Sequence, residues 1–333
     1  MTRAPLRVAF IGAGLFARDA HVPNMLTLPE LYEPVAVYSR TRESAEQLVA
    51  AVGKPMDITT DLDAILSRDD IDVFDVTVTI NLLPEFVKKA LATGKHVISE
   101  KPVAPTVAQG RELLKHTPTN AVWMVAENWR YIQSFLAAST LLNTGTLGKP
   151  IQMHWATAVK LDAGNKYYGT DWRRAGDFPG GFLLDGGVHN IAALRLLLGE
   201  ISRVSAFTAQ VREDLPPTDT LAATFRFDNG ALGTYTTSFA APAGADTGLT
   251  IVCENGSLRI QRDQLEIIQA GQTDRHLFSE NGIRDELVAF AEAILDGKPH
   301  HNSAAQALQD VAIIEAILKS GPTGESVTPE RIV

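Results

Sequence analysis

Up to about Val125 the chain alternates two kinds of segment. Short apolar, β-branched runs occur at Val8–Ile11, Pro34–Tyr38, Val73–Thr79, His96–Ser99 and Ala121–Val125. Between them, apolar positions recur at helical spacing over Phe16–Leu26, Arg42–Val52, Leu62–Ser67, Pro84–Thr93 and Val107–Lys115. Repeated strand–helix units of this kind predict a parallel sheet with helices on both faces. Local punctuation agrees. Thr41 is placed to cap the second helix, Pro84 suits the first turn of the fourth, and Gly94 suits its end.

Past about Glu127 the pattern changes. A helical stretch at Tyr131–Asn143 precedes a strand at Ile151–Val159 and a loop, Asp162–Pro179, rich in Gly, Asp and aromatics. A helix follows at Val188–Leu198, and from Ser202 to Ile268 the chain reads as successive strands. Asn229-Gly230 and Asn255-Gly256 each lie between two such runs, which predicts hairpins with type I′ turns, both central residues at positive φ. Two helices, Gly282–Leu295 and Ser303–Leu318, close the chain. The division is therefore an α/β domain over 1–127 and an α+β domain over 128–333 with an open, mostly antiparallel sheet. Thr224, Thr234, Thr236, Thr237 and Ser238 are expected on the outward face of that sheet, with Phe225, Phe227, Tyr235 and Phe239 divided between its two sides. A face not covered by the chain's own helices predicts a homodimer, or a dimer of dimers.

Composition narrows the function classes. The 333 residues and 36.0 kDa suit two domains. Thirty-nine acids against 30 bases leave a net charge of −9, which opposes sequence-blind nucleic-acid binding. The single cysteine, Cys253, can form neither an internal disulfide nor a thiolate cluster, and the histidines show no spaced ligand set, so no metal is expected. No apolar run is long enough to span a membrane and no signal-peptide pattern opens the chain, which predicts a cytoplasmic protein.

Four motifs carry chemistry. Gly12-Ala13-Gly14-Leu15-Phe16-Ala17 follows the first strand and opens a helix, the setting of a dinucleotide fingerprint. There Gly12 permits the turn, Gly14 admits the pyrophosphate, and the helix N-terminus supplies amides. The second strand ends in Ser39-Arg40-Thr41-Arg42, with no acid for the ribose hydroxyls. A hydroxyl and a guanidinium suit a 2′-phosphate, so NADP(H) is expected over NAD(H). Ser99-Glu100-Lys101-Pro102 sits at a strand's carboxyl end, where a lysine reaches a ligand. Asp185 and His189 stand four apart at a helix start, so a carboxylate can orient an imidazole that moves a proton.

Taken together, GAGLFA, SEKP and WRRAGDFPGGFLLDGGVH resemble the glucose-fructose oxidoreductase/inositol dehydrogenase (Gfo/Idh/MocA) family over nearly the whole chain. The resemblance implies a Rossmann domain followed by an α/β domain on an open antiparallel sheet. It implies Lys101, Asp185 and His189 as catalytic residues, with Glu100 and Lys101 beside the cofactor and a cis bond before Pro102. Thr79 and Asn81 would line the cofactor from the loop after the fourth strand, Arg130 from the end of a later one, and Trp172 and Arg173 would cover it. The activity implied is hydride transfer between nicotinamide and a sugar, polyol or related carbonyl. The alternative is a catalytically silent NAD(P)-binding regulator of the same fold, a class that typically lacks the lysine and histidine retained here. Two departures bear on substrate: Pro84 stands where the family often has histidine, and Ala192 where it has an acid, making an inositol-type substrate less expected.

Overall fold

The structure is a computed structural model that describes residues 3–333. The chain forms two compact units. The first comprises the described residues up to Asn128 together with Ile283–Leu308. It holds six parallel strands, β1 (Leu6–Ile11), β2 (Tyr32–Tyr38), β3 (Asp57–Thr59), β4 (Val73–Val76), β5 (His96–Glu100) and β6 (Trp123–Ala126), in the order β3-β2-β1-β4-β5-β6. The order reverses between β1 and β4, the switch point at which doubly wound sheets bind ligands. Helices α1 (Val22–Leu26), α2 (Arg42–Val52), α3 (Leu62–Leu66), α4 (Leu83–Leu91) and α5 (Val107–Leu114) connect the strands. Thr41 caps α2, its hydroxyl accepting from the Ser44 amide, and Gly94 follows α4 at φ 78°.

Three features depart from expectation. Phe16–Leu26 is not one regular helix: Ala17–His21 is a π-helical turn leading into α1. That wider turn carries His21 into the core, fully buried. The edge strand β3 was too short and too exposed to register as an apolar run. Finally, Ile283–Leu308, expected in the second domain, belongs to the first unit, where Leu287, Phe290 and Ala291 pack with Leu6, Val8, Phe10 and Tyr32.

The second unit spans Trp129–Gly282 and Gln309–Val333. It contains α6 (Gln133–Thr144), β7 (Pro150–Ala158), the short helices α7 (Asp171–Arg174) and α8 (Phe182–Asp185), and α9 (Gly187–Leu198). The strands β8 (Ile201–Ala209), β9 (Thr220–Phe227), β10 (Leu232–Ser238), β11 (Ala245–Asp246), β12 (Leu249–Cys253), β13 (Gly256–Gln261), β14 (Gln264–Gln269) and β15 (Gln272–Leu277) complete a nine-stranded sheet with β7. All its pairings are antiparallel except β7 with β10. Of the closing helices, α10 (Gly282–Asp296) lies in the first unit from Ile283 onward. The last, α11 (Ala304–Ser320), starts in the first unit and continues in the second.

Both Asn-Gly sites join antiparallel neighbours, but neither turn is type I′. At the first, a three-residue loop, Asp228-Asn229-Gly230, closes with Phe227 N–H on Ala231 O, and Gly230 alone is at positive φ, 91°. At the second, Cys253 pairs with Gly256, so Glu254 and Asn255 form the turn and Gly256 starts β13. The sheet face also sorts differently. Phe225, Phe227 and Tyr235 all point to the covered side, as does Thr237, which accepts from the Thr157 hydroxyl. The outward face keeps Thr224, Thr234 and Thr236, with Leu232 53% and Phe207 64% exposed. No helix among the described residues is long and apolar enough to cross a membrane.

Candidate active site

In the first unit, a cleft of about 170 Å³ opens at the switch point, lined by the glycine turn, Tyr38, Ser39, Arg40, Ser44, the segment Thr77–Thr79, Leu82 and Phe86. Gly12 sits at φ 108°, and a Cβ there would stand 2.5 Å from the Thr77 carbonyl oxygen, so only glycine fits. The Thr77 hydroxyl donates to Gly12 O, tying β4 to the turn. Gly14 differs: a Cβ would meet nothing nearer than 3.9 Å. The protein's own packing does not demand glycine there, whereas close approach of a pyrophosphate does. Leu15 and Phe16 follow as the first helical residues, half-buried, and offer backbone amides at a helix N-terminus. The glycine turn and the helix start therefore fit the pyrophosphate of a dinucleotide.

None of the cleft's lining residues is acidic. Arg40 is exposed and makes no ion pair among the described residues, whereas Arg42 is engaged with Glu46 at 3.0 Å. Thr41 acts chiefly as the α2 cap. Thr79 lines the cleft; Asn81 is exposed beyond it. At the end of β5, Glu100 is buried, Lys101 is half-buried, and the Lys101-Pro102 bond is cis.

In the second unit, α8 and α9 meet at Gly186, whose backbone stays in the right-handed helical region. Asp185 and His189 thus remain about one turn apart. The preceding glycines answer to packing: Gly181 lies at φ 49° with its Cβ position 2.5 Å from Pro216 O, and Gly186 faces the Phe239 ring. Asp185 is buried and accepts from Arg173 Nε at 2.7 Å. The Arg173 guanidinium lies 4.2 Å from the Trp172 ring centroid and 5.1 Å from that of Tyr167. The His189 ring stacks on Trp129 at 5.4 Å between centroids. Arg130, expected beside the cofactor, is buried with Asp310, Nη2 to Oδ2 at 2.5 Å, in an ion-pair chain that continues through Arg195 to Glu200. Cys253 is buried, and that burial pushes its thiol up, away from nucleophile chemistry.

Comparison with known proteins gives this geometry its family. Residues 6–127 match an oxidoreductase family with an NAD-binding Rossmann fold, and residues 135–259 match a GFO/IDH/MocA C-terminal domain. Dehydrogenase FPY6 of Fusarium mangiferae is 32% identical, with 94% of this chain and 95% of that protein covered. The chain belongs to the Gfo/Idh/MocA family. It is an oxidoreductase with an NAD-binding Rossmann fold. An oxidoreductase from Thermotoga maritima superposes with TM-score 0.91 at 35% identity, covering 97% of this chain and 98% of its own. Levoglucosan dehydrogenase, solved with NADH and levoglucosan, has TM-score 0.88 at 23% identity, covering 98% of this chain and all of its own, a likeness of fold.

Against this Gfo/Idh/MocA frame, sequence reasoning missed Tyr38, Thr77, Leu82, Phe86 and Trp129. Tyr38 ends β2 and Thr77 directly follows β4 at the switch point; both were legible by position. Trp129 lies one residue before Arg130, and it is the stacking on His189, not its place in the sequence, that marks it.

Proposed function

We propose that this oxidoreductase uses NADP(H) and interconverts a sugar, polyol or related carbonyl with its alcohol. The observation that carries the cofactor choice is the acid-free cleft edge, where Ser39 and an unengaged Arg40 stand in place of a ribose-binding carboxylate. The bound nicotinamide supplies or accepts the hydride. This chain's residues do the rest. Gly12 and Gly14 with the following helix hold the pyrophosphate, and Ser39 and Arg40 hold the 2′-phosphate. Trp172 and Arg173 cover the cofactor. Lys101 polarises the reacting oxygen, His189 exchanges its proton, and Asp185, anchored by Arg173, orients the imidazole. The sugar-like substrate class draws support from levoglucosan dehydrogenase, which shares the fold and was solved with levoglucosan and with L-sorbose.

The protein is proposed to work in the cytoplasm as a homodimer, or a dimer of dimers, packed through the outward sheet face. That face carries a depression of about 620 Å³ lined in part by His154, Arg203, Thr224, Arg226 and Thr234. The test of function is NADPH oxidation over a panel of keto-sugars and small aldehydes, with NADH in parallel. Turnover of a carbonyl sugar with NADPH preferred supports the reading; preference for NADH overturns the cofactor assignment.

A further inference from the structure

His21 has no part in the chemistry above, yet it is fully buried beside the machinery. Its Nδ1 lies 2.7 Å from Asp75 Oδ2 and its Nε2 lies 3.2 Å from Glu100 Oε1. We infer that His21 is a positioning residue for the cofactor and for Lys101, its ring clamped between the carboxylates of Asp75 and Glu100. The inference rests on the reading of the glycine turn and Lys101 as site elements.

Connectivity gives the clamp its meaning. His21 ends the π-helical turn that follows the glycine fingerprint. Asp75 lies on β4, two residues before Thr77, whose hydroxyl holds Gly12. Glu100 ends β5 and is bonded to Lys101. One ring therefore ties together the three pieces of backbone that carry the phosphate-binding turn, the cleft wall and the lysine. The π-helical turn is the local device that aims the ring inward.

The ring's charge follows from the contacts. A neutral imidazole has one donor nitrogen and one acceptor, so one lone pair would face a carboxylate oxygen. Nδ1 is hydrogen-bonded to Asp75, whereas Nε2 meets Glu100 at ion-pair distance without a hydrogen bond; two carboxylates this close favour the doubly protonated ring. Burial opposes this, but Asp75 and then Glu100 outweigh it and hold the imidazole well above the ordinary histidine range. The other groups around the ring are consistent. Burial holds Glu286, on α10, well above the usual carboxylate range; its Oε2 accepts from Asn302 Nδ2 at 2.9 Å. Glu127 adds to that effect on Glu286, and the Phe16 ring meets the imidazole edge-on at 5.3 Å.

The test uses the full-length protein. In ring-¹⁵N histidine spectra at about pH 8, where ordinary histidines are neutral, one ring should still carry protons on both nitrogens, and His21→Gln should remove that signal. A neutral His21 ring at neutral pH overturns the inference, whether or not the variant folds. NADPH binding, followed by cofactor fluorescence, should weaken about 10- to 100-fold in His21→Gln. The double variant His21→Gln/Asp75→Asn removes the fully buried one of the two carboxylates left without a cation. It should recover the melting temperature but not the NADPH affinity. Recovery of both would show that the ring only balances charge, and would sink the positioning role. Because binding needs no substrate, a protein that binds NADPH but reduces no sugar carbonyl refutes the proposed substrate class and leaves this test intact.

Discussion

Arg173 Nε donates to Asp185 Oδ2 at 2.7 Å, and the two side chains are only 13% and 10% exposed. The contact fastens the aromatic-rich segment bearing α7 to the carboxylate one turn before His189. A lysine at 173 would keep the charge but lose both the planar Nε donor and the stacking on Trp172. Arg173→Lys should therefore lower kcat/KM by about 1.5–3 kcal/mol, the range for a hydrogen bond to a charged group. Steady-state kinetics check it, and unchanged kcat/KM would show that Asp185 needs no anchor.

Arg40 is the cofactor discriminator in the proposed function. Arg40→Ala should weaken NADPH by about 1.5–3 kcal/mol and leave NADH nearly unaffected. Titrations with both nucleotides decide the matter: equal losses would mean that Arg40 does not read the 2′-phosphate.

Lys101→Ala and His189→Ala should each reduce kcat steeply, by about 100-fold or more, with little change in NADPH affinity. His189→Ala should also flatten one limb of the pH–rate profile. A Lys101→Ala enzyme altered only in KM would demote the lysine to substrate binding.

Glu286 predicts a pH dependence of stability. Burial raises its folded pKa, so between the ordinary value of 4.5 and the raised one the folded chain holds a proton that the unfolded chain has released. Its contribution is complete below that ordinary value and falls as pH rises, by up to about 1.4 kcal/mol per pH unit. His21, also raised, adds a loss of the same sign above its ordinary value of 6.5. Glu286→Gln keeps the oxygen that accepts from Asn302 and has no proton to lose. It should flatten, without abolishing, the decline in melting temperature as pH rises above about 4.5. Superimposable wild-type and variant curves would place Glu286 among ordinary carboxylates.

The outward sheet face should mediate assembly. Light scattering is expected to give about twice the 36.0 kDa chain mass, or four times it. Leu232→Glu, on the exposed face, should shift the particle toward the monomer. A wild-type particle of chain mass at micromolar concentration would refute the interface.

The strand–helix alternation of the first unit was legible because its strands are buried on both faces and read as unbroken apolar runs. The second unit's alternation was legible in outline, but not the facing of its aromatics. Phe225, Phe227 and Tyr235 share a side only once the β9–β10 register is known, and that register depends on a loop whose glycine adopts positive φ without its asparagine. His21 was invisible for a related reason: a π-helical turn shifts the helical phase, and a regular 3.6-residue reading does not aim that side chain at Asp75. The ion pair of Arg130 was not legible, because its partner Asp310 is distant in sequence.

The return of α10 to the first unit means that this unit is encoded in two separate stretches of the gene, with most of the second unit inserted between them. During synthesis, the nucleotide-binding sheet emerges long before Leu287, Phe290 and Ala291, which finish its core. A fragment ending at Asn128 is therefore an unfinished module, with an apolar face uncovered. A chimaera that exchanges cofactor preference between relatives has to carry both stretches across together.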